Sequence, residues 1–519
     1  MSYLAGSIID GDLPPLVSLR SSERKSLGAT LLTILEVRNA VLVAAARPFF
    51  TAWRRRCRRR TKATFISWQS SELQMPARDL NAGPITIRNL TATQLTLNVD
   101  IAKSSSESFT PAHDQVQLAI QPFDTAVAKV DDEHGVAKIE LPGDRTPDRD
   151  LLAVARSNFI ELHGTTSHEQ GITPIYSPET RFLTLYELPD LTCWMRDFKD
   201  ETSIAALSIP GTHNSPTYHW ALPSVRCQAV SPLQQLENGV RFLDVRVQPH
   251  RPGNEDLYLV HGAFPIALTG SKNFRQLVDD VNTFLASHPS ETVIISMKRE
   301  GISRTNDGQL ADIIETHYAQ QWYTEPRIPS IGEVRGKIVL MRRFALSDRL
   351  KKEHDGRGWG LDAESWEDNT ANCVHGQVCV QDFYGVRSTQ LMPKKIEMSC
   401  AHFERAGALV CPVPGSSGAG GTSAPEQIYL NFLTASNFFD FRCWPENIAA
   451  KLNPAVLSFL CEKHDCGDHG DGGLGIVVCD WVGKHGNWDL VKCIVGMNAR
   501  RLHRERGYGW HVPANQAGP

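Results

Sequence analysis

The chain has 519 residues, of which 41% are hydrophobic and 22% charged, a composition typical of a globular protein of roughly two to four domains. Its formal charge of −4, from 54 basic and 58 acidic residues, argues against nucleic acid as a partner. The mean hydropathy is −0.27, and no long uncharged apolar run predicts a membrane-spanning helix. The twelve cysteines form no repeating CxxC pattern, so the redox compartment stays open.

Residues 1–80 are predicted to form an N-terminal arm. Residues 29–50 are apolar but interrupted by charges, which is typical of an amphipathic helix, and six arginines follow within residues 54–60. We interpret the basic run as a solvated charge block, with contact to anionic lipid and a nuclear address as the alternatives. The start of the chain lacks a clear signal-peptide pattern, so a soluble or a peripheral membrane protein is expected and the compartment stays open.

Residues 81–190 have the pattern of a small β-rich domain. Ile85 and Ile87, and then Leu95, Leu97 and Val99, alternate with polar residues, and the same period of two recurs up to residue 185. Clusters of Gly, Pro, Asp and Ser separate these runs, which predicts a sandwich of short strands. We find no catalytic pattern in this segment.

Residues 191–505 have the pattern of an α/β fold, and residues 506–519 are predicted to be a C-terminal tail. Short apolar runs, continuous as in strands buried on both faces, alternate with helix-like segments. Eight such strands predict an irregular TIM (β/α)8 barrel. The irregularity is expected after the second strand, because the third follows about nine residues later, too soon for a crossover helix. The predicted strands are 207–209, 240–247, 257–260, 292–297, 337–341, 378–380, 428–432 and 474–478.

Polar residues close nearly every predicted strand at its C-terminal end, the catalytic face of this fold. His213 and Asn214 follow the first strand, Asp244 and Arg246 the second, and His261 the third. The later strands end at Lys298, Arg343, Asp382 with Tyr384, and Asp480.

These residue types suit the cleavage of a phosphodiester by an internal hydroxyl. Two histidines can divide the roles of general base and general acid. An arginine offers two parallel hydrogen bonds to a phosphate whose charge grows in the transition state, and a carboxylate can hold one imidazole in the required tautomer. The remaining Lys, Arg and Asp side chains can hydrogen-bond a polyhydroxylated substrate, and Tyr384 can stack on its ring.

The order of these motifs resembles the X-domain phosphatidylinositol-specific phospholipases C, most closely the small bacterial type, whose fold is an irregular TIM barrel. The resemblance runs from about residue 194 to residue 501, roughly three fifths of the chain. The matching stretches are SIPGTHNS, ENGVRFLDVR, VHG, SHPSETVIISMKRE, RGKIVLMRRF, VQDFY, IYLNF and GIVVCDW.

The resemblance implies a role for each residue. His213 would take the proton from the inositol 2-hydroxyl and Asp480 would orient it, while Arg246 would bind the phosphate and His261 would protonate the leaving glycerol oxygen. Asp244 would support the site. The inositol ring would be held by Lys298, Arg343, Asp382 and Tyr384, with Arg342 as the rival of Arg343, because a slip of one residue exchanges them.

Two departures from the family pattern affect the predicted mechanism. Asn214 stands where the bacterial type has Asp, so it supplies no negative charge to Arg246 or His261. Arg246 stands where the calcium-dependent branch has an acidic residue, and a cation there repels Ca²⁺. We therefore expect a metal-independent site with no cofactor. The implied partner is a phospholipid at a membrane surface, and no protein partner can be inferred.

Two other functions are weighed as alternatives. A glycerophosphodiester hydrolase on the same barrel would use a metal held by acidic residues, which Arg246 disfavours. A catalytically weak or inactive barrel that binds lipid headgroups or glycans is kept open by Asn214.

A second polar cluster, Cys461, His464, Cys466 and His469, has ligand types that suit zinc, but its spacing is unfamiliar for a closed site. A polar loop, with a Cys461–Cys466 disulfide as one form, is favoured.

Overall fold

The structure is a computed structural model that describes residues 84–103, 114–128, 135–140, 151–153, 160–163, 172–177, 180–250, 256–414, 427–464 and 470–510. The predicted arm, the last nine residues of the tail, and Cys466 and His469 of the second polar cluster lie outside these ranges. None of the helices within them is long and apolar enough to cross a membrane.

The segment before residue 190 forms two β-sheets, with strand orders β4-β1-β9-β8 and β3-β2-β5-β7-β6. Apolar side chains of both sheets, among them Ile87, Leu97 and Leu183, are buried in one cluster, so the predicted sandwich is present. The strands are β1 (Ile85–Asn89), β2 (Leu95–Lys103), β3 (Asp114–Ile120), β4 (Thr125–Ala128), β5 (Gly135–Glu140), β6 (Leu151–Ala153), β7 (Ile160–His163), β8 (Ile172–Ser177) and β9 (Phe182–Glu187).

The remainder is built on one large sheet whose parallel strands follow the order β17-β16-β15-β11-β10-β21-β20-β19. No ladder joins β17 to β19; hydrogen bonds between Asp362 and Gln377 bridge the gap, so the predicted irregular barrel is confirmed. Its strands are β10 (Ile209–Thr212), β11 (Phe242–Pro249), β12 (Leu257–His261), β13 (Phe264–Pro265), β14 (Lys272–Asn273), β15 (Val293–Arg299), β16 (Ile338–Arg343), β17 (Leu361–Asp362), β18 (Cys373–His375), β19 (Val378–Gln381), β20 (Ile428–Leu433) and β21 (Ile476–Cys479).

Helices lie between most of the barrel strands and bury their apolar faces against them. In chain order they are α1 (Pro232–Glu237), α2 (Phe274–Ser287), α3 (Asp307–His317), α4 (Ile331–Val334), α5 (Met392–Gly407), α6 (Pro445–Glu462), α7 (Asp489–Gly496) and α8 (Ala499–Arg506).

The prediction that residues 257–260 form a parallel barrel strand is wrong. β12 pairs antiparallel with β11, with Val247 opposite Leu259, so the two strands form a hairpin that extends beyond the barrel rim. The short connection noted in the sequence permits only this geometry. The eighth parallel strand of the described sheet is instead β17, whose two residues are too few to give a sequence signal.

The sandwich packs on the barrel through α6 and α7. The Arg88 guanidinium of β1 donates hydrogen bonds to the backbone carbonyls of Cys461 and His464, at 2.9 and 2.6 Å, where α6 ends. A cation suits the negative end of a helix, whose last carbonyls lack intrahelical partners. On α7, a Cβ at Gly496 would lie 2.8 Å from the Tyr186 ring, so glycine is required for this close approach.

The buried ion pair of Arg241 and Glu291 stabilises the start of the barrel. The Arg241 side chain, fully buried, lies 2.8 Å from the Glu291 carboxylate and donates to the carbonyls of Leu191, Leu236 and others nearby. The N–H groups of the guanidinium therefore have hydrogen-bond acceptors within the protein, which allows this charge to be buried.

We expect Arg241→Met to lower the free energy of unfolding by about 3–5 kcal/mol, because it leaves the Glu291 carboxylate buried without its partner. Arg327→Met, which breaks a surface pair with Glu333, is the control and should cost less than about 1 kcal/mol. Urea denaturation followed by circular dichroism measures both. Equal losses would contradict the role given to the buried pair.

Candidate active site

The mouth of the barrel begins where β10 ends. The His213 N–H donates to the Cys479 carbonyl of β21 at 3.0 Å, which extends the sheet to this histidine. A Cβ at Gly211 would lie 2.8 Å from the Phe242 ring, so glycine is needed for β10 to approach β11. Asn214 has a φ of +42°, and its backbone N–H donates to the Asp244 carboxylate at 3.1 Å. This turn directs His213 into the mouth.

His213 is held by the carboxylate of Asp480, which follows β21. Its Nδ1 lies 2.9 Å from Asp480 Oδ1, and the Asp480 side chain is only 1% exposed. Burial raises the pKa of Asp480, and the neighbouring His213 opposes that rise. On the other side of the ring, the Asn214 amide nitrogen lies 3.2 Å from Nε2. These contacts favour the tautomer with the proton on Nδ1, which leaves Nε2 as a proton acceptor.

Arg246 lies between two carboxylates. One guanidinium nitrogen is 3.2 Å from Asp244 and another is 2.8 Å from Glu300. Burial alone would lower the pKa of Arg246, but these two carboxylates outweigh it and raise the pKa. Burial would likewise raise the pKa of Asp244, but Arg246 and Arg343 hold it well below its usual value. The network therefore stays fully ionised.

Strand register places three basic residues side by side. Arg246 of β11 pairs with Lys298 of β15, and Lys298 pairs with Arg343 of β16. The Lys298 ammonium lies 3.5 Å from Glu300 and its side chain is 41% exposed. Burial, together with Arg343 and Arg246, lowers the pKa of Lys298. Such a row, on adjacent strands at one rim, is suited to binding an anion.

His261 reaches the same mouth from the opposite direction. Since Val247 pairs with Leu259, the descending strand β12 brings His261 level with residue 245. Its ring is perpendicular to that of His213, with the centroids 5.7 Å apart. Its Nδ1 lies 2.7 Å from the Val225 carbonyl, which fixes the proton on Nδ1. Burial lowers the pKa of His261 to about 4, assisted by the neighbouring His213 and Arg246.

The geometry separates the two candidate arginines of β16. Arg343 is bonded to Asp244 at 3.2 Å and stacks on Trp366, with 4.0 Å from its guanidinium carbon to the ring centroid. Arg342 points the other way, to the carboxylates of Asp362 and Glu364. Of the two, the structure brings Arg343 into the mouth.

Asp382 and Tyr384 lie on the loop after β19. Asp382 accepts a hydrogen bond of 3.2 Å from the Trp366 indole, so it lies on the tryptophan that also stacks with Arg343. The Tyr384 hydroxyl donates to Asp368 at 2.7 Å. Asp382 therefore contacts the tryptophan on which Arg343 of the basic row stacks. The Tyr384 hydroxyl instead contacts the carboxylate of Asp368.

Several residues of the site were missed by the sequence reasoning. Glu300 follows Lys298 by two positions, and this strand-end signal was visible, yet no role was assigned to it. Trp366 lies on a loop, so no sequence pattern indicates its contact with Arg343. Asn453 of α6 donates to the Asp480 carbonyl at 2.9 Å, and Gln228 donates to the His213 carbonyl at 2.8 Å. A lone amide in a helix or loop has no pattern that would reveal such a positioning role.

Buried Lys395 of α5 supports the loop that carries Asp382. Its ammonium donates to the Gln381 side-chain oxygen at 3.1 Å and to the Phe432 carbonyl at 2.5 Å. The same Gln381 oxygen accepts the Phe383 N–H at 2.8 Å. Burial lowers the pKa of Lys395 to about 7. The lysine therefore fixes the start of this loop from below.

Comparison with known proteins finds similar sequences and structures over the barrel. Residues 205–344 match the family described as phosphatidylinositol-specific phospholipase C, X domain. A 1-phosphatidylinositol phosphodiesterase of Listeria monocytogenes is 28% identical over 316 residues, 58% of this chain and 84% of that protein. A protein of the same name from Staphylococcus aureus is 23% identical over 329 residues, 59% of this chain and 93% of its own length.

Among solved structures, the phosphatidylinositol-specific phospholipase C from Listeria monocytogenes is 23% identical to this chain. It aligns over 60% of this chain and 99% of its own, with a TM-score of 0.43.

A barrel with paired histidines, an aspartate and a basic row at its mouth has the groups that cleavage of a phosphodiester requires. Over residues 205–344 the chain resembles the phosphatidylinositol-specific phospholipase C X-domain family, as the sequence motifs predicted.

The tautomer of His213 can be tested independently of any reaction. We expect histidine-selective ¹H–¹⁵N NMR of the protein to show the His213 proton on Nδ1 at neutral pH. Asp480→Asn presents an amide donor and should shift that proton to Nε2. Glu364→Gln, at a carboxylate paired with Arg342 outside the mouth, is the control and should leave the spectrum of His213 unchanged. An Nε2–H tautomer in the unmodified protein would contradict the assignment.

Proposed function

We propose that this protein cleaves phosphatidylinositol-type lipids by intramolecular attack of the inositol 2-hydroxyl on phosphorus. The products are an inositol cyclic phosphate and diacylglycerol. The observation that carries the proposal is the perpendicular pair His213 and His261, 5.7 Å apart, beside the ionised Arg246. A base, an acid and a phosphate-binding cation are the groups that this reaction requires.

In the proposed reaction, His213 Nε2 removes the proton from the 2-hydroxyl, and the resulting alkoxide oxygen forms a bond to phosphorus. Asp480, at 2.9 Å from Nδ1, stabilises the imidazolium that forms. The bond from phosphorus to the glycerol oxygen breaks, and His261 gives that oxygen a proton. Arg246 stabilises the charge that develops on the phosphate oxygens.

The free protein holds His261 in its neutral form at neutral pH, because its pKa is lowered to about 4. Two negative groups counter this effect when substrate is bound. One is the phosphate itself, and the other is Glu300, whose carboxylate raises the pKa of His261. We infer that His261 acquires its proton only once the phosphate lies against Arg246.

The proposed reaction needs no metal ion. Asp244 and Glu300 are the acidic side chains that contact Arg246 at the centre of the mouth. A divalent cation bound to these carboxylates would have to displace the guanidinium. Arg246 itself supplies the positive charge beside the phosphate.

The proposed substrate lies in a membrane, and the loops around the mouth suit contact with lipid. Large apolar side chains are exposed on loops that follow β10, β13, β15 and β20, including Ile302 at 73% and Phe439 at 79%. Such a concentration is unusual for a face in contact with water. The exposed residues are Trp220, Leu268, Ile302, Phe438, Phe439 and Phe441.

The first test of the proposal is release of inositol 1,2-cyclic phosphate from phosphatidylinositol vesicles in EDTA. We expect product from the unmodified protein, and at least about 100-fold less from His213→Ala and from His261→Ala. His288→Ala, at the end of α2, is the control and should keep full activity. Activity that requires Ca²⁺ would overturn the metal-independent reaction. Absence of product with and without Ca²⁺ would favour a barrel that only binds headgroups.

The role of Glu300 is tested by the pH dependence of kcat/KM. Glu300→Gln removes a carboxylate that raises the pKa of His261, so this pKa falls further. Because the general acid must be protonated, the alkaline limb should move to lower pH and kcat/KM at pH 7 should fall. Glu364→Gln is the control for loss of a carboxylate from the barrel rim. An unchanged alkaline limb would exclude His261 as the acid.

The lipid-facing loops are tested by vesicle sedimentation. Burial of one Phe side chain contributes about 1.5–3 kcal/mol, so Phe439→Ser should weaken binding to phosphatidylinositol vesicles by at least about 10-fold. The control is Val127→Ser, which removes a 51% exposed side chain from the sandwich. If both changes leave binding equal to that of the unmodified protein, this face does not contact the membrane.

A further inference from the structure

Cys227 lies beside the two histidines of the mouth and has no part in the proposed reaction. Its side chain is fully buried, and its Sγ is 3.7 Å from His261 Nδ1. The backbone holds it firmly: its N–H donates to the Thr217 hydroxyl at 3.1 Å, and its carbonyl accepts the Trp481 N–H at 2.8 Å. The thiol is therefore fixed between the loop after β10 and the end of β21.

One donor atom each from His213, Cys227 and His261 lie within 4.8 Å of one another. In a tetrahedral zinc site with bonds of about 2.0–2.3 Å, the donor atoms are separated by roughly 3.5 Å. Small rotations of the two imidazoles would close this difference, because the ring centroids are only 5.7 Å apart.

The surroundings resemble the second layer of a metal site. Zinc-binding histidines usually donate their other ring N–H to a carboxylate or a backbone carbonyl. His213 does so from Nδ1 to Asp480, at 2.9 Å, and His261 does so from Nδ1 to the Val225 carbonyl, at 2.7 Å, so Nε2 of each ring is the nitrogen left for an ion. A thiolate and two imidazoles select Zn²⁺ or Co²⁺ over the hard ions Ca²⁺ and Mg²⁺.

The electrostatic balance at this place does not exclude a cation. Arg246 opposes one, but its charge is already shared between Asp244 and Glu300. Asp480 adds a further carboxylate, and a bound thiolate brings a negative charge of its own.

We propose that His213, Cys227 and His261 form an inhibitory site for a thiophilic divalent cation such as Zn²⁺, with water as the fourth ligand. The Cys227 thiol releases its proton to solvent when the sulfur binds the ion. Each imidazole gives the lone pair of one ring nitrogen and keeps its proton on the other. Inhibition rests on the proposed function: with both lone pairs bound to the ion, neither histidine can transfer a proton.

Metal binding is tested first, with Co²⁺ as the probe and the full chain. We expect one equivalent of Co²⁺ to give the visible bands of a tetrahedral site together with a thiolate-to-cobalt charge-transfer band in the near ultraviolet. Cys227→Ser should abolish the charge-transfer band of that equivalent. Cys443→Ser, which changes another buried cysteine, should retain it. Absence of the band from the unmodified protein, or its persistence in Cys227→Ser, would overturn the site.

Inhibition is tested with Zn²⁺ in the cyclic phosphate assay, each variant relative to its own rate in EDTA. We expect Cys227→Ser and Cys227→Ala to need at least about 10-fold more Zn²⁺ for half inhibition, since loss of a ligand weakens binding strongly. Equal sensitivity of unmodified protein and variants would overturn inhibition through this site.

If Cys227 variants do not fold, His261→Ala should lose the tetrahedral cobalt bands. A cobalt spectrum without lipid cleavage would refute the proposed function and leave the metal site standing.

Discussion

The ion pairs of the Arg246 guanidinium are the interactions on which the mouth of the barrel depends. It joins Asp244 of its own strand to Glu300 of the next, and Asp244 in turn receives the Asn214 N–H and Arg343. Each buried carboxylate is thereby paired with a guanidinium, and this pairing offsets the free-energy cost of removing the charges from water. The turn after β10, the ends of β11 and β15, and the arginine of β16 are all held to this one cation.

The hairpin of β11 and β12 explains how two histidines from distant points on the chain can face each other. A regular barrel strand would bring its C-terminal end up to the rim and continue into a helix. Here β11 passes beyond the rim and β12 returns, so His261 enters from above while His213 rises from below. The irregularity of the barrel is therefore the feature that brings the proposed acid opposite the proposed base.

The sequence predicted the barrel, the sandwich and the residues at the strand ends because these depend on local patterns: period-two alternation, buried strands and polar residues after them. The sequence did not predict features that depend on which strands pair with each other. Residues of β12 have the pattern of an ordinary buried strand, and the direction of this strand is determined by its pairing with β11. Neither Trp366, on a loop, nor Asn453, on a helix, belongs to a repeating pattern, so their contacts with Arg343 and Asp480 appear only once the chain is folded. The roles assigned to the site residues stay predictions.

The position of Arg88 bears on what constitutes a self-sufficient piece of this protein. The family resemblance and the related enzymes span only the barrel, yet the carbonyls at the end of α6 are bonded to a guanidinium from the sandwich. The same helix carries Asn453, which holds Asp480, and it starts just after the exposed Phe441. A barrel excised at residue 191 would leave the end of this helix, which also supports Asp480, without its cation. We therefore expect the sandwich to stabilise the barrel beyond the segment that resembles the family.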